Sequence, residues 1–217
     1  MIFDGTFLHR PVSIVALMDA KTNMIISGEH DVRENSSMQL TVFMSPLKER
    51  GLGPLSCTTD GNPQAMRVIK TMWPDIVIQR CLVHIQRQGL SWCRTYPKTG
   101  YARKLRDIFR DVTYIYTKED RDRFLRKLNA WEEKYGSYIA QKPERGRVFS
   151  DIKKARSMLL KALPDMFHYL QDPSIPSSTN GLEGYFSRLK GHYRHHRGLK
   201  PEKRHRYFDW YFKLRPR

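Results

Sequence analysis

Residues 1–27, MIFDGTFLHRPVSIVALMDAKTNMIIS, decide the fold class. Residues 1–8, 12–18 and 24–27 are three short runs rich in Ile, Val, Phe and Met. Arg10-Pro11 and Lys21-Thr22-Asn23 punctuate them. Connections this short join antiparallel neighbours, because a parallel crossover needs a dozen or more residues. The chain therefore opens with three antiparallel strands.

Past this sheet the pattern alternates. Ser36 reads as a helix N-cap, with Leu40, Phe43, Met44 and Leu47 at helical spacing. Pro46 is expected to strain that helix's last turn, and Gly51 and Gly53 to end it. Residues 55–59 form a fourth strand that finishes at Asp60. Asn62-Pro63 joins a cap to a first-position proline and starts a helix to about Trp73. Residues 76–79 make a fifth strand, and helix resumes from Cys81. The order β-β-β-α-β-α-β-α is the layout of an RNase H-like fold: an α/β protein with a mixed five-stranded sheet flanked by helices.

Residues 96–171 contain no strand pattern. Leu105, Ile108 and Phe109 mark one amphipathic helix; Phe124, Leu125, Leu128 and Trp131 mark a second, capped by Thr117. Ala155, Met158, Leu159, Ala162 and Leu163 mark a third, which Pro164 bends or divides. Residues 172–178 read as a loop. After it, Thr179 or Asn180 caps a helix that carries Glu183 and buries Leu182, Phe186, Leu189 and Tyr193.

The chain has 217 residues, enough for a sizeable core, and a net charge of +17. The charge is placed unevenly. Residues 1–80 hold 8 Lys/Arg against 8 Asp/Glu, whereas residues 81–217 hold 31 against 14. A basic excess confined to one part of a chain points to a polyanionic partner. Cys57, Cys81 and Cys93 are too few, and odd in number, for a disulfide framework. No apolar run approaches the twenty residues of a membrane span, and the N-terminus lacks the layout of a signal peptide. A cytoplasmic protein without a membrane partner is expected.

Three acids occupy telling positions. Asp4 and Asp60 are each read as ending an apolar strand-like run, at a strand end, and each precedes a glycine; Glu183 opens a helix that runs into a basic stretch. Carboxylates on two strands and a helix make a site for hard divalent cations, which favour a few carboxylates plus water and phosphate oxygens. Two such cations hold the attacking and leaving oxygens of an in-line displacement at phosphorus. Each piece also has a plainer reading. Asp-Gly is first of all a turn dipeptide, and Asn-x-x-Glu at a helix start is a capping box.

In their joint order, FDGTFLHR, CTTDG, QRCLVH and STNGLEGYFSRLK, these segments resemble the catalytic core of the Mutator-like DDE transposases. The likeness runs from Asp4 to about Arg197. It implies an RNase H-like fold with a helical insertion before the last catalytic helix. On that pattern residues 1–95 are the first part of the core, 96–171 the insertion, 172–197 the catalytic helix, and 198–217 a basic C-terminal tail. The resemblance also implies two Mg²⁺ or Mn²⁺ ions held by Asp4, Asp60 and Glu183 as the catalytic carboxylates. Double-stranded DNA, as transposon ends and target, is the implied substrate, handled by a homo-oligomer. Met1 stands three residues before Asp4, where this family carries an upstream DNA-binding segment. A first strand short at its start is therefore expected. That leaves a truncated, non-catalytic DNA-binding remnant, or a nuclease of the same fold, as alternative readings.

Cys81-x-x-His84 has half the spacing of a zinc site, with Cys93 as an available third ligand and no clear fourth. Zinc is not expected; the resemblance gives Cys81 and His84 an accessory role beside the carboxylates or the DNA. Residues 188–206 hold eight Lys/Arg and one acid. Arg188, Lys190, Arg194, Arg197, Lys200, Lys203 and Arg204 are the expected DNA-binding residues, neutralising phosphates in a salt-dependent way. Lys190 lies seven residues past Glu183, on the same helix face. Trp131 is read as core, and Asp19, Glu29, Asp31 and Glu34 as surface or capping acids.

Overall fold

The computed structural model describes residues 1–9, 12–142, 147–196 and 198–217. In chain order the elements are β1 (Ile2–His9), β2 (Val12–Met18), β3 (Ile25–His30), α1 (Ser37–Glu49), β4 (Ser56–Thr59), α2 (Pro63–Met72), β5 (Val77–Arg80), α3 (Leu82–Cys93), α4 (Gly100–Asp111), α5 (Lys118–Gln141), α6 (Arg147–Ala162), α7 (Asn180–Tyr193) and α8 (Pro201–Leu214). They divide between two compact units, Met1–Gln79 with Pro173–Arg217, and Arg80–Asp172.

The first unit is built on a five-stranded sheet of order β3-β2-β1-β4-β5. β1 is antiparallel to β2, β2 is antiparallel to β3, and β1 is parallel to β4, so the sheet is mixed. Side chains alternate between its faces. Phe3, Val15, Leu17, Cys57 and Ile78 pack with Leu40, Phe43 and Met44 of α1 and Ala65, Val68 and Ile69 of α2. Ile2, Ile14, Ala16 and Met18 face the other way, onto Leu182, Tyr185, Phe186 and Leu189 of α7 and Phe208, Tyr211 and Phe212 of α8.

Local chemistry explains most boundaries. Asp19 Oδ1 accepts the N–H groups of Lys21 and Thr22 at 2.7 and 2.9 Å, closing the β2–β3 turn. Asn62 Oδ1 accepts from Gln64 and Ala65 at 2.9 and 3.3 Å, with Pro63 at the first helical position of α2. Pro46 lies inside α1, which continues to Glu49. The carbonyl that Pro46 leaves without an i+4 donor belongs to Val42, on the solvent face.

Two segments depart from the sequence reading. β3 extends through Gly28, Glu29 and His30 instead of ending at Ser27. A Cβ on Gly28 would lie 2.4 Å from the Phe212 ring, so this glycine sits in the strand as the seat of an aromatic side chain. The stretch read as a basic tail contains α8, with Phe208 fully buried. Pro201 starts it, and Phe208, Tyr211 and Phe212 at i, i+3 and i+4 give it an apolar stripe beneath its basic residues. Just beyond α8, the Ile25 N–H bonds the Pro216 carbonyl at 2.7 Å, which covers part of the edge strand.

In the second unit α3–α6 surround one apolar core containing Leu105, Ile108, Phe109, Phe124, Leu128, Trp131, Ala155 and Leu159. Thr117 and Asp120 form a reciprocal capping box at the start of α5. Trp131 is 3% exposed and its Nε1 donates to the Tyr101 carbonyl at 2.9 Å, so it is a core residue. α6 gives way to a 3₁₀ turn, Leu163–Asp165, at Pro164.

Candidate active site

Asp4 lies inside β1, paired with Ala16, and not at a strand end. Ile2 and Phe3 before it and Gly5 and Thr6 after it are paired with β2 as well. The Asp4 side chain is on the α7 face with Ile2 and Thr6, and the residue is 5% exposed. Its Oδ1 accepts the Gly5 N–H at 2.8 Å. Gly5 points to the opposite face, where a Cβ would fall 1.7 Å from Glu34 Oε1, so the glycine makes room for that half-buried acid. A carboxylate as buried as Asp4 is costly unless charge or hydrogen bonds compensate it.

Glu183 approaches from α7. Thr179 is the N-cap, which makes Glu183 the fourth helical residue, one position past the place of a capping-box acid. The Glu183 N–H bonds the Thr179 carbonyl at 3.0 Å, as an ordinary helical amide. Ligand oxygens of Asp4 and Glu183 lie within 4.8 Å of one another. Gly181 lets the first turn of α7 close on the sheet; a Cβ there would stand 3.3 Å from Asn23 Oδ1 and 3.4 Å from Met18 Sδ.

Two turns along α7, Lys190 Nζ donates to Thr6 Oγ1. Burial holds the Lys190 pKa below its usual value, and the Asp4 charge acts in the opposite direction. Asp4 and Thr6 on β1 therefore face Glu183 and Lys190 on α7. Sequence reasoning missed Thr6. Its signal was parity: it lies two residues past Asp4 on the same strand face.

Asp60 directly follows the last residue of the neighbouring strand β4. Ile2 and Thr58 are register partners in the parallel β1–β4 pair, so Asp4 and Asp60 each stand two residues further along, at the same level and on the same face. Asp60 Oδ1 accepts the Asn62 N–H at 2.8 Å, and Gly61 takes φ +92°, a conformation that needs glycine. The Asp-Gly pair is thus a turn as well as the end of β4. Thr58 Oγ1 donates to the Pro176 carbonyl at 2.7 Å, fastening the loop before α7 to this strand. Among the described residues, Asp60 does not join Asp4 and Glu183 in a set whose ligand atoms are all within 4.8 Å. The structure brings together two of the three expected acids and places the third level with one of them.

The Asp4–Glu183 pair offers carboxylate oxygens, which suit a hard cation such as Mg²⁺.

The other expected residues lie as follows. Cys81 is the buried N-cap of α3, and His84 Nδ1 is 3.2 Å from Cys81 Sγ. Cys93 is buried in the helical core, and burial pushes its thiol up to about 12. Arg188, Arg194, Lys200 and Lys203 are exposed, Arg188 lying 5.9 Å from the Tyr185 ring centroid. Arg204 is half-buried and donates to the Leu199 carbonyl at 3.4 Å. Arg197 lies outside the described residues.

A family model described as "Transposase, Mutator family" matches residues 8–198. Asp60 and Glu183 fall within the match, and Asp4 precedes it. No curated protein matches the chain.

Proposed function

The chain belongs to the Mutator family of transposases, and from that premise we propose that it is a DDE-type catalytic core with Asp4, Asp60 and Glu183 as its carboxylates. The observation that carries this reading is the convergence of Asp4 and Glu183 to within 4.8 Å from opposite ends of the sequence. The level placement of Asp60 beside Asp4 supports it. The sheet order β3-β2-β1-β4-β5, antiparallel at β1–β2–β3 and parallel at β1–β4, supports an RNase H-like fold.

Asp4, Asp60 and Glu183 would hold two Mg²⁺ or Mn²⁺ ions. When bound, these supply Lewis-acid activation of water and neutralise charge at the reacting phosphate. The protein's own part is positioning. Strand pairing holds Asp4, the turn that follows β4 presents Asp60, and α7 delivers Glu183. Lys190, held by Thr6, keeps a cation beside the acids for a non-bridging phosphate oxygen or the scissile strand. Two reactions follow at the same site: water cuts a phosphodiester at the transposon end, and the freed 3′-hydroxyl attacks a phosphodiester of target DNA. No covalent protein–DNA intermediate is formed.

Arg188, Arg194, Lys200 and Lys203 are the proposed phosphate contacts next to the site, with Arg197 and Arg204 in the same stretch. Two transposon ends call for at least two active sites, hence a homo-oligomer with DNA. No described helix is long and apolar enough to cross a membrane.

The test is incubation of the protein with Mg²⁺ or Mn²⁺ and labelled DNA, pre-nicked transposon ends included. Cut and joined products are expected. Cutting without joining would make the chain a nuclease of this fold, and DNA binding without either product a non-catalytic remnant.

A further inference from the structure

The helical unit Arg80–Asp172 holds 21 Lys/Arg against 11 Asp/Glu, an excess of ten that the carboxylate site does not use. Between α4 and α5 runs an open groove of about 310 Å³. Trp131 and Ile108 form its floor, and Lys104, Lys127, Lys134 and Tyr135 rise around it. Asp107 is the one acid in its lining, and it is turned to Arg110 at 3.2 Å. Lys127 is engaged by Asp111 at 2.6 Å. Lys104 and Lys134 are exposed and have no acidic partner among the described residues. Both ammonium groups rest over the Tyr135 ring, 5.9 and 5.7 Å from its centroid.

The arrangement continues along the unit. Tyr135 packs against Tyr101 at 6.2 Å, and Tyr101 against Tyr138 at 5.9 Å between ring centroids. Lys142 Nζ lies 4.2 Å from the Tyr138 centroid and donates to Tyr101 Oη at 3.1 Å. Tyr138 itself is 54% exposed. A row of lysines resting on tyrosine faces contributes little to folding at the surface. The core beneath is complete without it, since Trp131 is buried and hydrogen-bonded. Lys104 and Lys134, without an acidic partner among the described residues, can swing onto phosphates, and the rings then offer faces to bases.

We propose that DNA lies across the α4–α5 groove, its phosphates on Lys104 and Lys134 and an unpaired base against Tyr138. The proposal rests on the transposase reading for its ligand, but concerns residues of the helical unit, none of which is among the proposed catalytic acids or the basic residues 188–206. The charge excess and the aromatic interleaving select nucleic acid over an acidic protein, which would match the lysines but leave the ring faces without stacking partners.

Fluorescence anisotropy on the full chain tests it, using a duplex with a single-stranded tail and a blunt duplex from 50 to 200 mM salt. Lys104→Ala/Lys134→Ala is expected to weaken binding and to make the slope of log affinity against log salt shallower by about two. Arginine at both positions is expected to restore the slope. Tyr138→Ala is expected to weaken the tailed duplex several-fold and leave the blunt one unchanged. Parent-like affinity and slope in the double alanine variant, with the parent binding DNA, would overturn this proposal alone. A parent that binds no DNA would overturn it together with the transposase reading. Competition by poly-glutamate equal to that by DNA would overturn the assignment to nucleic acid.

Discussion

The carboxylates of Asp4 and Glu183 lie within 4.8 Å of each other, although the whole helical unit Arg80–Asp172 separates them in the chain. One is fixed by strand pairing with Ala16, and the other by the fourth position of a helix whose N-cap is Thr179. Their meeting is a property of the fold, not of local sequence.

On the proposed reading, Asp4 and Glu183 share a cation. Adding Mn²⁺ to the DNA-free protein is expected to raise its melting temperature, and Glu183→Gln and Asp4→Asn to abolish the rise. Thermal denaturation with and without the ion measures this. An undiminished rise in both variants would place the ion elsewhere.

Lys190 gives a pH signature. Burial lowers its pKa below 10.5, so the folded state releases this proton more readily than the unfolded one. Between the lowered value and 10.5 the unfolded state binds more protons, and stability rises with pH across that window. Below it the cost of burying the charge is constant. Lys190→Met is expected to remove this rise. Asp4→Asn is expected to lower the Lys190 pKa further, because the Asp4 charge holds it up; ¹⁵N-edited titration of the amine would read both.

Gly28 and Phe212 fix α8 to β3. Gly28→Ala puts a Cβ where the Phe212 ring sits, at 2.4 Å, and is expected to cost about 1–3 kcal/mol in chemical denaturation. The cost is expected to shrink in a Phe212→Leu background, a coupling that a double-mutant cycle isolates. Simple additivity would mean that the ring is not the obstacle.

The strands were legible because β-branched and aromatic runs with short punctuation admit few arrangements, and Asp4 and Asp60 because each is followed by glycine. The end of β3 was not legible: Gly28 looks like a breaker until Phe212, far along the chain, fills the place of its side chain. α8 was hidden by the charge of residues 198–206, although Pro201 and the spacing of Phe208, Tyr211 and Phe212 carried its signal. Thr6 has no mark of its own in sequence, since its partner Lys190 is near only after folding. The start of α7 decided what sequence left open, because a helix beginning at Asn180 moves Glu183 out of the capping-box position.

The buried thiols offer an independent check on the packing. Burial raises Cys57 and Cys93 to about 12. Neither is expected to react with iodoacetamide at pH 8 in the native protein, and both are expected to react once it is unfolded. Mass spectrometry of the alkylated peptides gives the answer; native labelling of either would contradict the two cores.

The most direct measurement is strand transfer of a pre-nicked transposon end into plasmid DNA with Mn²⁺, comparing the parent with Asp4→Asn, Asp60→Asn and Glu183→Gln at equal DNA occupancy. The account predicts joined product from the parent and a loss of at least about a thousandfold, roughly 4 kcal/mol of barrier, in each variant while DNA binding persists. Joined product from Glu183→Gln or Asp60→Asn at the parent's rate would contradict it.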